Sequence, residues 1–464
     1  MCSLRVSTVL LAHWVSTLLA AQYWAPADLP ITVDVQLFQF YNDEEEDVFC
    51  VVGRTFICDT PGNEYCAGIL RYNAGNWDTL GSFNAGIGSV AQWEDTLFIA
   101  GTQGVDGIEL PGGAVLWYND TWQIDPQLNA WSHSINLRKR DGNIYALGRF
   151  EVEPGIDHYG VGIRRGGRWA PLGNLPPPSS SSAGPQIVDI IEYNGQLVIT
   201  GNINTTIGDD VLVLQGADWV PLGGGLVGWN SFGDCLAVYQ GDLYVGGGMS
   251  VAAGDVGQNI IRWDGQQWHP VGSGMQTQLN NFGNYGAVRD MVVHYDELFV
   301  CGGFRYAGGI YSKNVARWNG SQWCSLSDEF LGSYAYCMGF FQDTLYVNAS
   351  GDQNWQQEYG YVAKFVAPEY ENNCGLWTEV EEATHTNGDL RAWVQGGELV
   401  IEGLPAGTYT VELWNFTGQL ILRQPLLSYG QSAVLPLPEM AAGLYVIKAP
   451  TLFGAAKFYV PAYP

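Results

Sequence analysis

One phrase recurs along this chain and restricts its folding more than any other feature. Ile260-Ile-Arg-Trp-Asp-Gly-Gln-Gln-Trp268 returns as Val315-Ala-Arg-Trp-Asn-Gly-Ser-Gln-Trp323. Aligned on the closing tryptophan, the copies end at Trp77, Trp122, Trp169, Trp219, Trp268 and Trp323, at intervals of 45, 47, 50, 49 and 55 residues. Turn formers such as Asn-Gly, Asp-Gly and Gly-Gly stand inside the phrase, which is the signature of a β-hairpin. A second phrase interleaves with it, as in Thr96-Leu-Phe-Ile-Ala-Gly101, Asp242-Leu-Tyr-Val-Gly-Gly247 and Glu297-Leu-Phe-Val-Cys-Gly302, and occurs seven times between Asp47 and Ala349. Each of its copies follows an apolar run and a polar turn, which makes a second hairpin per repeat.

About four strands in a repeat of 40–50 residues predict a β-propeller. Glycine at the end of the second phrase lets backbones approach closely. Seven copies of the second phrase face only six tryptophan phrases, and the seventh repeat trails off after Val362. The missing piece stands at the other terminus, where Tyr23-Trp24-Ala-Pro-Ala-Asp-Leu-Pro30 matches Arg168-Trp169-Ala-Pro-Leu-Gly-Asn-Leu-Pro176. The N-terminal strand is therefore expected to complete the last blade, which removes exposed strand edges. The expectation is an all-β chain with a seven-bladed propeller over residues 22–366; six or eight blades are the alternatives. Tryptophans recurring once per repeat, Trp24 included, read as scaffold packing between sheets rather than as ligand contacts.

Composition agrees: 60 glycines, 13% aromatic and only 14% charged residues suit short strands and tight turns. A net charge of −27 repels nucleic acid and anionic membrane surfaces. Residues 1–21 read as a secretory signal, with Arg5, an apolar stretch from Val6 to Leu19 and a small-residue exit at Ala20-Ala21. An uncleaved anchor is the alternative; no later segment is long and apolar enough to be transmembrane. Eight cysteines follow the signal, which permits disulfides in an exported chain. Cys58 and Cys66 bracket a short loop and form the preferred pair, whereas free, buried thiols are weighed equally for Cys50 and Cys301.

The pattern Arg-Trp-Asp-Gly-x-x-Trp, Gly272-x-Gly-Met275 and Leu-Tyr-Val-Gly-Gly resembles the kelch-like propeller repeats of secreted Bacteroidetes proteins. That resemblance covers roughly residues 23–366 and implies fold and exported location, not a ligand. Residues 367–386 read as a polar, acidic linker, and 387–464 as six or seven short strands forming a small immunoglobulin-like β-sandwich. Its Ala406-Gly407-Thr-Tyr409-Thr-Val411, Asn415-Phe-Thr-Gly418-Gln419, Ala442-Gly443-Leu-Tyr445-Val-Ile-Lys448 and Lys457-Phe-Tyr-Val460 resemble the C-terminal sorting domain of the type IX secretion system. The Pro-Asn-Pro that usually opens that domain is absent. The resemblance implies recognition by the outer-membrane export machinery, with release or attachment at the cell surface.

Chemistry is sparse. The six histidines lie in different segments without metal-ligand spacing, and no Cys-x-x-Cys occurs, so no metal or cofactor is expected. His158 beside Asp157 is the one pair kept as a candidate. A copper-radical oxidase set cannot be assembled, and sialidase-like Asp boxes are missing. Residues 131–175 concentrate seven basic residues, Arg138, Lys139, Arg140, Arg149, Arg164, Arg165 and Arg168, against four acids. Such a focus on an acidic body is a candidate anion or glycan site, because arginine presents forked donors. The competing reading pairs these arginines with acids on adjacent blades. No catalytic residue is assigned. The expected function is extracellular recognition of a glycan or surface partner. The alternative is a polysaccharide-acting enzyme with its site at one mouth of the propeller.

Overall fold

The computed structural model describes residues 24–27, 33–43, 48–55, 66–73, 76–84, 87–111, 113–125, 128, 135–153, 156–175, 186–204, 209–228, 231–277, 287–326, 333–350, 362–366, 374, 391–395, 398–402, 406–415, 420–428, 430, 432–437, 443–449 and 454–460. The signal segment, Cys58, Gly418, Gln419 and most of the linker lie outside the described residues. The chain forms two compact units, Met1–Thr378 and Glu379–Pro464. It is all-β; among the described residues the helical turns are two three-residue 3-10 turns. None is long and apolar enough to cross a membrane.

Within the first unit the two hairpins of each repeat combine into one four-stranded antiparallel sheet. Sheet four shows the plan: Gln186–Tyr193, Gln196–Asn204, Asp209–Gln215 and Asp218–Pro221, hydrogen-bonded in sequence order. Sheets two, three, five and six repeat it; sheet one adds the short strands Gly104–Val105 and Ile108–Glu109. In the seventh such sheet, Tyr334–Phe341, Thr344–Ser350 and Val362–Phe365 are joined by Trp24–Pro26, with Trp24 opposite Phe365. The first strand of every sheet packs on the first strand of the next, and Tyr334–Phe341 packs on Val33–Asp43 of sheet one. Many small antiparallel sheets in this succession are compatible with a propeller.

The recurrent tryptophan is a seat between consecutive sheets. Trp219 is fully buried and its indole N–H donates to the Leu172 carbonyl of sheet three at 2.9 Å. Trp268 donates to Leu222 O at 3.3 Å and Trp323 to Val271 O at 3.0 Å, each time in the preceding repeat. Trp122 and Trp169 use carboxylates instead, Asp106 at 2.7 Å and Asp125 at 2.8 Å. A glycine follows each accepting Leu or Val for a steric reason. At Gly173 φ is +74°, and a Cβ there would stand 2.6 Å from Trp219 Nε1. Pro-Leu-Gly in one repeat thus prepares the socket for the tryptophan of the next. The glycine closing the second phrase acts within its own sheet: a Cβ on Gly247 would stand 2.1 Å from the carbonyl oxygen of Phe232.

Among the described residues a disulfide joins Cys324, beside the sixth-sheet Trp323, to Cys374. The sequence offered no spacing signal for this pair, and it ties part of the expected linker to the first unit. Cys50, Cys235, Cys301 and Cys337 are free and buried. In the second unit Arg391–Gln395, Glu398–Glu402 and Ser432–Pro436 form one sheet, and Leu420–Ser428, Gly407–Asn415, Gly443–Ala449 and Gly454–Val460 another. Both sheets contribute to one core that includes Leu399, Val411, Leu413, Leu435 and Ile447.

Candidate functional site

The first strands of sheets four to seven share a local irregularity. Pairing with the second strand slips by one residue between Ile187 and Asp189, Gly233 and Cys235, Val288 and Asp290, and Ala335 and Cys337. Each slip is a β-bulge that leaves one residue unpaired: Val188, Asp234, Arg289 and Tyr336. Bulges re-aim side chains out of the ladder, and they are over-represented beside functional sites. Here they bring side chains from three consecutive sheets together. Arg289 Nη1 donates to Asp234 Oδ2 at 2.9 Å, and Arg289 Nε donates to the Tyr334 hydroxyl at 2.5 Å. The guanidinium also lies 5.7 Å from the Tyr334 ring centroid, and the Tyr334 and Tyr336 rings are 5.0 Å apart at 45°. The Arg289 side chain is 40% exposed and that of Asp234 15%. Tyr336 is exposed, and its hydroxyl donates to Ser350 Oγ at 3.5 Å.

The residue after two of these bulges, Asp189 and Asp290, does mechanical work. Asp189 Oδ2 accepts from Leu236 N–H of sheet five at 2.9 Å, and Asp290 Oδ2 from Met338 N–H of sheet seven at 2.9 Å. Ser89 and Asn136 reach forward in the same way, Ser89 accepting from Leu137 N–H at 3.0 Å and Asn136 donating to Ile187 O at 3.0 Å. At Val188 and Arg289 the bulge therefore serves two purposes in adjacent residues: one side chain is released from the ladder while the next locks the following sheet.

Burial dominates the electrostatics of this cluster. It pushes the Asp234 carboxyl up to about 6 even though Arg289 beside it favours the carboxylate. Asp290 is also raised to about 6, because burial outweighs the N–H donors of Met338 and Met291. Arg289 is held above its ordinary value: Asp234 and the Tyr334 hydroxyl outweigh burial, which acts the other way. The thiols of Cys235, Cys301 and Cys337 are driven well up by burial, so they are poor nucleophiles. Among the described residues no three His, Cys, Asp or Glu side chains converge as a metal site.

The seven basic residues of repeat three are spread across a whole sheet, from its first strand to its fourth. Arg138 and Arg140 both bind Asp189 of the next sheet, at 3.1 and 3.2 Å. Arg164 binds Asp125 at 3.2 Å, the same carboxylate that accepts from Trp169, and lies 4.9 Å from the Phe98 ring centroid. Arg149 sits over Tyr159 at 5.4 Å, and Lys139 is half-buried on the first strand. Arg165 and Arg168 face each other across an exposed hairpin. Three of the arginines thus have acidic partners supplied by other repeats. His158 stacks on Phe150, while the side chain of Asp157 lies outside the described residues.

In the second unit Gly407 and Gly443 open strands, Tyr409 and Tyr445 pack on the core, and Lys457 lies opposite Val446. The Asp234–Arg289–Tyr334 cluster was missed in the sequence, although a signal existed. Aligning the first strands on the residue before the turn (Tyr193, Tyr239, His294 and Phe341) puts Val188, Asp234, Arg289 and Tyr336 in one column. Asp234 there is a charge inside an otherwise apolar run, and Arg289 stands with Asp290 inside another.

No family profile matches the sequence, and no curated protein matches it. Among solved structures, the 1.70 Å crystal structure of a structural-genomics protein of unknown function from Bacteroides thetaiotaomicron is similar over 74% of this chain and 99% of its own, with 12% identity and a TM-score of 0.33. A likeness at that level informs neither ligand nor activity.

Proposed function

We propose that the protein is an exported, non-catalytic, seven-bladed β-propeller that recognises a glycan or surface partner outside the cell. Its C-terminal unit is then an immunoglobulin-like sorting domain read by the type IX export machinery, with Gly407, Tyr409, Gly443, Tyr445 and Lys457 among the recognised or shaping residues. The observation that carries the recognition reading is the Asp234–Arg289–Tyr334 assembly, charged and aromatic, part-exposed, and held on three consecutive bulged strands. Binding surfaces need such preorganised polar groups on rigid elements.

An Asp234 carboxyl near 6 is also what a general acid needs, and it favours the polysaccharide-acting enzyme as the second reading. Glycoside hydrolysis ordinarily takes two carboxyl groups that both reach the substrate. The neighbouring acid, Asp290, has each oxygen engaged by a backbone N–H. Recognition is therefore preferred. The test is a glycan array probed with the full-length secreted chain and with Arg289→Ala. Selective binding that the substitution removes supports recognition at this site. Release of reducing ends from a bound glycan would replace it with the enzyme reading.

A further inference from the structure

We infer that the bulge cluster takes an uncharged sugar residue through a vicinal diol, with Arg289 donating to one hydroxyl oxygen, Asp234 accepting from the other and Tyr336 offering a ring face. This rests on the recognition reading above and narrows its ligand class. The argument begins with charge. Arg289 is already matched by Asp234 at 2.9 Å, so the cluster has no surplus positive charge for a carboxylate or sulfate. An anion docking on Arg289 would also face the Asp234 carboxylate, on a chain of net charge −27.

Valence points the same way. The contacts of Arg289 engage Nε and Nη1, and Asp234 uses only Oδ2. Nη2 and Oδ1 carry no protein hydrogen bond among the described residues, which leaves one donor group and one acceptor on two directly paired side chains. A vicinal diol has the complementary pair: one hydroxyl oxygen that accepts and one O–H that donates. Beside it stands Tyr336, 41% exposed and fixed at 5.0 Å from Tyr334, able to cover the C–H face of a pyranose. The groups are held by the sheet ladders and by each other, so little rotamer freedom is lost on binding.

The experiment measures binding of the full-length chain to neutral gluco-, galacto- and manno-oligosaccharides and to uronic-acid and sulfated oligosaccharides, at low and high salt. Tyr336→Ala and Arg289→Ala are the variants, with near-UV circular dichroism to confirm folding; exposed Tyr336 keeps the test usable if the arginine variant fails to fold. The inference expects a neutral oligosaccharide to bind, to weaken at least about tenfold in each folded variant, and to change little with salt, since no ion pair with the ligand forms. Binding confined to acidic oligosaccharides, salt-sensitive and lost with Arg289, would overturn the uncharged-ligand inference while leaving recognition at this site intact. Glycan binding unaffected by both substitutions would overturn both, whereas no glycan binding at all would overturn the sugar inference and leave recognition of a surface partner.

Discussion

Trp219→Ala tests whether the recurrent phrase is the mechanical joint between sheets. The indole is fully buried, and its N–H donates to Leu172 O of the preceding sheet at 2.9 Å. Truncation removes a buried indole and leaves a cavity, which costs about 3–5 kcal/mol. Within that total, the orphaned carbonyl accounts for about 1 kcal/mol. Trp268 holds the equivalent place one repeat later but is only half-buried, with a longer 3.3 Å bond to Leu222. Scaling the apolar term by exposure lowers the cost of Trp268→Ala to about 2 kcal/mol. Equilibrium urea unfolding followed by far-UV circular dichroism reads both, free of the change in tryptophan fluorescence. The expected order is wild type, then Trp268→Ala, then Trp219→Ala. Equal costs at the two sites, or no cost at Trp219, would refute the idea that burial at the inter-sheet seat sets the contribution.

Other consequences follow from the same geometry. Cys374→Ala opens the bridge to Cys324, 50 residues away in sequence; chain entropy puts the loss at about 4 kcal/mol, and reductant should destabilise wild type more than the variant. Gly247→Ala would press a Cβ to 2.1 Å from the Phe232 carbonyl, so reduced yield of folded protein is expected, measured by soluble expression and thermal melting. Asp234 and Asp290 have folded pKa values near 6, above the unfolded carboxyl range, so the folded state holds their protons longer. Stability should therefore fall as pH rises from about 4 to about 6, by up to about 3 kcal/mol for each, less where solvent screens the group. Melting at pH 5 against pH 7.5 checks this, and a variant with Asp290→Asn should show a smaller difference.

Much of the architecture was legible because it is periodic. A phrase repeated at near-constant spacing reports hairpins, and the Trp24 segment matching Trp169 anticipated the strand pairing found between Trp24–Pro26 and Val362–Phe365. The Cys324–Cys374 bridge was not legible, since nothing in a spacing of 50 residues marks two cysteines as neighbours. The basic focus is dispersed in space for a related reason. Proximity in sequence along one repeat spreads Arg138, Arg164 and Arg168 across the width of a sheet, and Asp189 and Asp125, from the neighbouring repeats, answer three of the charges.

The candidate site lies in the opposite relation to the chain. Asp234 and Arg289 are separated by 55 residues, close to one repeat, and share one phase with Tyr336, while Tyr334 stands two residues before that column; they meet because the first strands of consecutive sheets pack together. In a repeat protein, residues at equal phase become neighbours, so a site is written down a column of the aligned repeats rather than along the chain. The same column explains how such a site can be tolerated. A bulge frees its extra residue from the ladder, so Val188 and Arg289 can vary while the next residue, Asp189 or Asp290, keeps the inter-sheet latch. Changing the released residue alters the surface with little cost to the fold, whereas changing the latch disturbs two sheets. Substituting Arg289 should accordingly act mainly on ligand binding and substituting Asp290 mainly on stability, although the two are adjacent in sequence.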